Sequence, residues 1–102
     1  MSKSSKEEFT YWLSQRQLLL IAAARGICFD SQIAEDVLQE ALVDVFKRWD
    51  KIRDHENLEA YTIRVMISKH ADMRRKWNRK KYESEVELSE AFQLLDGSED
   101  TD

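Results

Sequence analysis

The chain has 102 residues, enough for one domain with a modest core, and 42% of them are apolar, which fits a folded protein. It has no proline, two glycines and one cysteine, which disfavours sheets joined by tight turns and excludes an internal disulfide or a metal site of several thiolates. The net charge of -4 would argue against a nucleic-acid partner if the charge were evenly spread.

The charge is in fact strongly segregated along the chain. Residues 60–82 contain eight basic residues and one acid, a net +7, whereas residues 83–102 contain eight acids and no Lys or Arg. A phosphate backbone responds to such a local polycation rather than to the average charge. The longest apolar run, residues 18–24, is far too short to span a membrane, so we expect a soluble, cytoplasmic protein with no membrane partner.

The first predicted helix covers about residues 6–25 and ends before Gly26. A short polar stretch at residues 14–16 could divide it into two helices. Its apolar side is expected to contain Phe9, Trp12, Leu13 and Leu20.

The second predicted helix covers about residues 32–49, and Asp30-Ser31 supplies a good N-cap signal before it. A buried stripe is indicated by helical spacing of Leu38, Leu42, Val45, Phe46 and Trp49. The opposite face carries Asp36, Gln39, Glu40, Val43 and Lys47. A polar connector, residues 50–57, follows.

The third predicted helix covers about residues 58–82, and basic residues occupy most of its circumference. Its apolar side is expected to contain Ile63, Met66, Ile67, His70, Met73 and Trp77. We therefore predict an all-α fold, a compact bundle of three to four helices formed by residues 1–82, followed by an acidic and partly disordered linker or tail, residues 83–102. The acidic segment could instead fold back on the basic helix, but an interdomain linker is the favoured interpretation.

The sequence contains no phosphate-cradling glycine loop, zincin pair or nucleophile elbow. His55 and His70 are too isolated to suggest a metal or catalytic site. We therefore expect no enzyme activity, no catalytic residue, no metal and no cofactor.

Two motifs stand out in the second and third predicted helices. The first is Ala-Glu-Asp-Val-Leu-Gln-Glu-Ala-Leu at residues 34–42, followed by apolar and basic residues that end on Trp49. The second is Ala-Tyr-Thr-Ile-Arg-Val-Met-Ile at residues 60–67, which leads into the basic cluster at residues 74–76. Together the two motifs resemble region 2 of the extracytoplasmic-function (ECF) family of bacterial sigma factors. The resemblance covers residues 9–81 and includes the order and separation of the motifs. It implies the fold of a sigma factor region 2.

The resemblance implies two sets of site residues. Those expected to dock on the clamp helices of the largest subunit of core RNA polymerase are Asp36, Gln39, Glu40, Leu42, Val43 and Phe46. Those expected to bind the minus-ten element of promoter DNA are Tyr61, Arg64, Ser68, Lys69, Arg74, Arg75, Lys76, Trp77 and Arg79. Tyr61 stands where the family often has Trp, and Ser68 where it often has Asn.

The implied function is that of a sigma factor domain which binds core RNA polymerase and recognises and melts the minus-ten element in transcription initiation. The main alternative is a helical interaction module that binds polymerase or an anti-sigma factor without opening DNA. A further alternative is a helix-turn-helix regulator that binds duplex DNA. The sequence contains no counterpart of the family's second domain, which reads the minus-thirty-five element, so we expect either an excised domain or a truncated relative that does not recognise a full promoter by itself.

Overall fold

The computed structural model describes residues 3–96, without the side chains at positions 92, 95 and 96. The chain divides into two units, Met1–Ala71 and Asp72–Asp102. The described residues form four helices and no strand, namely α1 (Lys3–Ile27), α2 (Ser31–Lys47), α3 (Trp49–Ile52) and α4 (Leu58–Asp96). The prediction of an all-α fold with three to four helices is thus confirmed. The predicted boundary after residue 82 stays a prediction.

Helix α1 is longer than the sequence predicted and has no break at residues 14–16. The Ser14 hydroxyl donates to the carbonyl of Tyr11 at 2.7 Å, a bond within its own helix that a mid-helix serine commonly forms. The polar stretch is exposed and needs no partner to remain helical. The predicted division of this helix was therefore wrong.

Helix α2 begins where its capping signal predicts. The side chain of Asp30 accepts hydrogen bonds from the backbone N–H groups of Gln32 and Ile33, at 2.8 and 3.2 Å. These bonds satisfy donors that lack a carbonyl partner in the first turn. The helix ends at Lys47, and Trp49, which was predicted as its last residue, begins the short helix α3 instead.

Part of the core of the first unit is an aromatic cluster to which α1, α2, α3 and the start of α4 contribute. Its buried members are Phe9, Val45, Trp49 and Leu58. The ring of Phe9 meets the rings of Phe46 and Trp49 edge to face, with centroids 5.2 and 5.3 Å apart. Such geometry adds a favourable quadrupole interaction to the burial of the rings. The buried position predicted for Trp49 is confirmed.

Polar bonds at the edge of this cluster attach α1 to α3 and to the residue after it. Glu8 accepts from the indole N–H of Trp49 at 3.2 Å and from Arg53 at 2.8 Å. The buried Ser5 hydroxyl donates to Asp50 at 2.7 Å. The indole N–H and the serine hydroxyl are thereby satisfied in an apolar environment, where an unpaired group would be costly.

The buried side of α2 is offset from the stripe that the sequence predicted. The fully buried residues of the helix are Ala34, Val37, Ala41 and Val45. Leu38, Leu42 and Phe46, which were predicted to be core residues, are only half-buried. The small residues allow α1 to pack close to α2, and the larger ones lie at the edges of the contact.

In the first unit, α4 buries Leu58, Thr62 and Met66. The Thr62 hydroxyl donates to the carbonyl of Leu58 at 2.7 Å, so its burial leaves no polar atom unsatisfied. The predicted apolar side is correct for Met66 and wrong for Ile67, which is exposed.

In the second unit, residues 72–96 all belong to α4. Trp77, which was predicted on the apolar side, is 43% exposed. The helix continues beyond its predicted end at Tyr82, so Glu83, Glu85, Glu87 and Glu90 extend the helix of the basic residues in this unit and do not fold back on them. Residues 97–102 of the tail that was predicted to be partly disordered lie outside the described residues.

Within residues 3–96, no helix is both long enough and apolar enough to cross a membrane. Cys28 is buried, and burial raises the pKa of its thiol. A neutral thiol is therefore the stable form at ordinary pH.

Candidate functional site

The first candidate surface is the exposed face of α2. Asp36, Gln39 and Glu40 are all exposed on it, and Val43 is 49% exposed one turn further along. Counted from Asp36, the other three lie three, four and seven positions further on, which places them on one side of a helix. The core uses none of them, so the face is free to bind a partner.

The two remaining residues of the predicted polymerase-binding set lie at the edge of this face. Leu42 and Phe46 are half-buried. Phe46 packs against the aromatic cluster through its contact with Phe9. Each side chain can therefore support the core with one side and present the other side to a partner.

A groove of about 470 Å³ between α1 and α2 borders the same face. Its apolar lining includes Leu20, Ile21 and Leu38, and Gln39 and Leu42 belong to it as well. The sequence did not predict that α1 contributes to this surface. The only signal was the apolar run at residues 18–24, which does not show by itself which of its residues line a groove.

Helix α1 also exposes apolar side chains away from the core. Tyr11, Leu18 and Leu19 are among them, and Phe29 after the helix is fully exposed. No role was predicted for these residues.

The second candidate surface is α4, and its part in the first unit carries Tyr61, Arg64, Ser68 and Lys69. Arg64 and Ser68 are exposed. Lys69 is half-buried, and its ammonium group lies 2.9 Å from a carboxylate oxygen of Asp44 on α2. Lys69 thus links α4 to α2 in addition to any role at a surface.

Tyr61 is half-buried and is packed against the aromatic cluster. Its hydroxyl accepts a hydrogen bond from Arg48 at 3.2 Å, and the ring of His55 lies against it with centroids 5.6 Å apart. The hydrogen bond with Tyr61 is the main reason why the pKa of Arg48 is raised above its usual value. Arg48 therefore stays charged beside residues 53–57, the part of the predicted connector that lies between α3 and α4.

The connector also positions the start of α4. The side chain of Asn57 accepts from the backbone N–H of Ala60 at 3.0 Å, as an N-cap residue does. The backbone N–H of Asn57 donates to Nδ1 of His55 at 3.1 Å. These bonds define how the chain enters the helix that carries Tyr61 and Arg64.

In the second unit, the predicted DNA-binding residues are all on the surface. Exposed side chains are found at Arg74, Arg75, Lys76, Trp77 and Arg79. Arg75 pairs with Asp72, one turn earlier on the same helix, at 3.0 Å. An exposed pair of this kind contributes only a few tenths of a kcal/mol, roughly 0.3–0.5, so Arg75 can exchange it for a phosphate.

The family named Sigma-70 region 2 matches residues 12–80 of this chain. The RNA polymerase sigma-E factor of Streptomyces avermitilis is 39% identical over 76 residues, which are 74% of this chain and 41% of the relative. The protein of the same name from Streptomyces coelicolor is 36% identical over 76 residues, with the same coverage. That of Streptomyces antibioticus is 32% identical over 83 residues, 81% of this chain and 44% of the relative.

The chain thus spans less than half the length of the curated relatives that it matches. No solved structure matches it significantly. The family match includes both candidate surfaces, the exposed face of α2 and the basic residues of α4 up to Lys80.

Proposed function

This chain belongs to the Sigma-70 region 2 family, with the features of the ECF type, and on that premise we propose that it binds core RNA polymerase through α2 and promoter DNA through α4. The observation that carries the proposal is the exposed face of α2. Asp36, Gln39 and Glu40 lie side by side there and stabilise nothing in the core. The role is cytoplasmic, because transcription takes place there.

Polymerase binding is attributed to this face for electrostatic and packing reasons. Two carboxylates and an amide can accept and donate hydrogen bonds across a contact with a basic helix, which favours fast and specific association. Val43 and Leu42 add apolar surface at the same place, and such residues supply the buried centre of an interface. The clamp helices of the largest polymerase subunit are the proposed partner.

DNA binding is attributed to the cations of α4. Each Lys or Arg that contacts a phosphate releases condensed counterions, which gives affinity that falls with salt and does not depend on base sequence. Trp77 is exposed enough to stack on an unpaired base, a contact worth roughly 1–3 kcal/mol. Melting of the minus-ten element then needs no chemistry, because a surface that binds the separated strand better than the duplex shifts the equilibrium toward the open form.

The test of DNA binding is charge reversal at two exposed arginines of α4. We expect the double variant Arg75→Glu/Arg79→Glu to lose affinity for fluorescent single-stranded DNA measured by anisotropy, and to retain binding to core RNA polymerase. The slope of log affinity against log salt should fall by about 1.4, since two phosphate contacts on a single strand are lost.

The matched control is Lys3→Glu/Lys6→Glu, which makes the same change in net charge at exposed positions of α1. This control should retain the affinity and the salt slope. Equal losses of DNA affinity in both double variants would show that the affinity depends only on the overall charge of the chain. No DNA binding by the parent chain would favour the interaction module that does not open DNA.

A further inference from the structure

The second unit contains two oppositely charged blocks in succession on α4. Exposed basic residues occupy the first block, namely Arg74, Arg75, Lys76, Arg79, Lys80 and Lys81. Exposed acids occupy the second block, namely Glu83, Glu85, Glu87 and Glu90. The helix thus presents a row of cations followed at once by a row of anions.

Half of these ten charges have no opposite charge of the other block within pairing distance on the same helix, and one of them, Arg75, pairs with Asp72 instead. Side chains pair along a helix at spacings of three or four residues. Such pairs can form only between residues close to the junction of the two blocks. A helix rises about 1.5 Å per residue, so Arg75 and Glu90 lie about 22 Å apart along the axis. This separation is about twice the Debye length of roughly 10 Å at moderate salt, so the outer parts of the blocks do not stabilise each other.

We propose that a second copy of this chain pairs with residues 72–96 in antiparallel orientation. Reversal of the helix direction places the basic block of each copy opposite the acidic block of the other. The arrangement has a two-fold axis between positions 82 and 83, and every favourable pair therefore occurs twice. A parallel arrangement in register would instead place like charges together.

The apolar residues of this helix support the same register. Trp77, Lys81, Ser84, Leu88 and Ala91 share one face at spacings of four, three, four and three. Trp77, Leu88 and Ala91 supply its apolar surface, and Lys81 and Ser84 lie between them. Trp77 is 43% exposed and Leu88 58% exposed. In a pair centred between positions 82 and 83, Trp77 of each copy meets Leu88 of the other, since the two positions are equidistant from the axis.

This register also predicts a specific ion pair beside the apolar seam. Lys80 and Glu87 both flank the seam on the same side. Flanking residues, unlike seam residues, need not be equidistant from the axis, because antiparallel helices bring positions on the same side of the seam together. Lys80 of each copy then meets Glu87 of the other. The two residues are seven positions apart in the sequence, which is too far for them to pair within one helix.

Pairing has a consequence for DNA, and this consequence alone depends on the proposed function. The cations that pair with acids of the second copy are the same cations that are proposed to bind phosphates. Self-association and DNA binding would therefore exclude each other. The pairing itself can be tested without DNA.

The test is sedimentation equilibrium of the whole chain at several concentrations and salt concentrations. We expect a monomer–dimer equilibrium that weakens as salt rises. The single variants Lys80→Glu and Glu87→Lys should each dimerise about tenfold more weakly, because two symmetric ion pairs become like-charge pairs. The double variant Lys80→Glu/Glu87→Lys should dimerise like the parent, since the two charges are only exchanged.

Mixing the two single variants supplies a second readout. An equimolar mixture of Lys80→Glu and Glu87→Lys restores opposite charges at both symmetric positions, so the mixture should associate more strongly than either variant alone. Circular dichroism of each variant shows whether the helix is retained. A parent chain that stays monomeric into the millimolar range, or a dimer that neither the double variant nor the mixture restores, would overturn the proposal.

Discussion

At the scale of single residues, the two tryptophans Trp49 and Trp77 show what a sequence pattern can and cannot predict. Both were assigned to apolar sides of helices. Trp49 is buried, and its indole N–H donates to Glu8, whereas Trp77 is exposed. Periodicity shows which residues share a face, but it does not show how far along a helix that face is covered by neighbours.

The different environments predict different effects of the same substitution. Trp49→Ala should lower the free energy of unfolding by about 3–5 kcal/mol, because it removes a large ring from the aromatic cluster and leaves a cavity. Trp77→Ala is the matched control and should lower it by less than about 1 kcal/mol. Urea denaturation followed by circular dichroism measures both values. Similar losses for the two variants would contradict the environments described for them.

At the scale of helices, the beginning of α2 was predictable and the end of α4 was not. Asp30 carries a local signal, because an N-cap depends on one side chain and the next two or three backbone N–H groups. The residues after Tyr82 are acidic, which indicated a linker, but they include Glu, Leu and Ala, all good helix formers. Charge and helix propensity gave opposite predictions there, and in the structure the helix continues to Asp96.

The short helix α3 was also missed. Four residues are too few to show a helical period, and the segment that contains them was assigned partly to α2 and partly to the connector. Its presence depends on tertiary contacts of Trp49, which no local signal reveals.

The cap at Asp30 predicts a measurable contribution to stability. Asp30→Ala should lower the free energy of unfolding by about 1 kcal/mol, within the usual range of roughly 0.5–2 for loss of an N-cap. The control is Asp54→Ala, an exposed aspartate between α3 and α4, which should change stability by less than about 0.5 kcal/mol. The two variants are distinguished by the denaturant concentration at the midpoint of unfolding, provided that the slope of the free energy of unfolding against denaturant is unchanged. An Asp30 variant as stable as the control would show that the cap contributes nothing.

At the scale of the whole molecule, family and fold class were available from the sequence. The two motifs and their separation indicated the Sigma-70 region 2 family, and the family match to residues 12–80 confirms it. The predicted exposure of Asp36, Gln39 and Glu40 on α2 is confirmed, and their role in docking stays a prediction. The groove beside that face was not predictable, because it requires α1 to pack against α2 at a distance that only the folded chain defines.

Binding to bacterial core RNA polymerase tests the central claim most directly. The measurement compares the parent chain with Gln39→Ala/Glu40→Lys and with the control Gln15→Ala/Glu7→Lys, which makes the same two changes at exposed positions of α1. We expect the α2 variant to bind at least about tenfold more weakly, since residues at the centre of an interface commonly contribute more than about 1 kcal/mol each. The control should bind like the parent. Equal affinity of all three chains would contradict the proposed docking face, and no binding by the parent would contradict the proposed function itself.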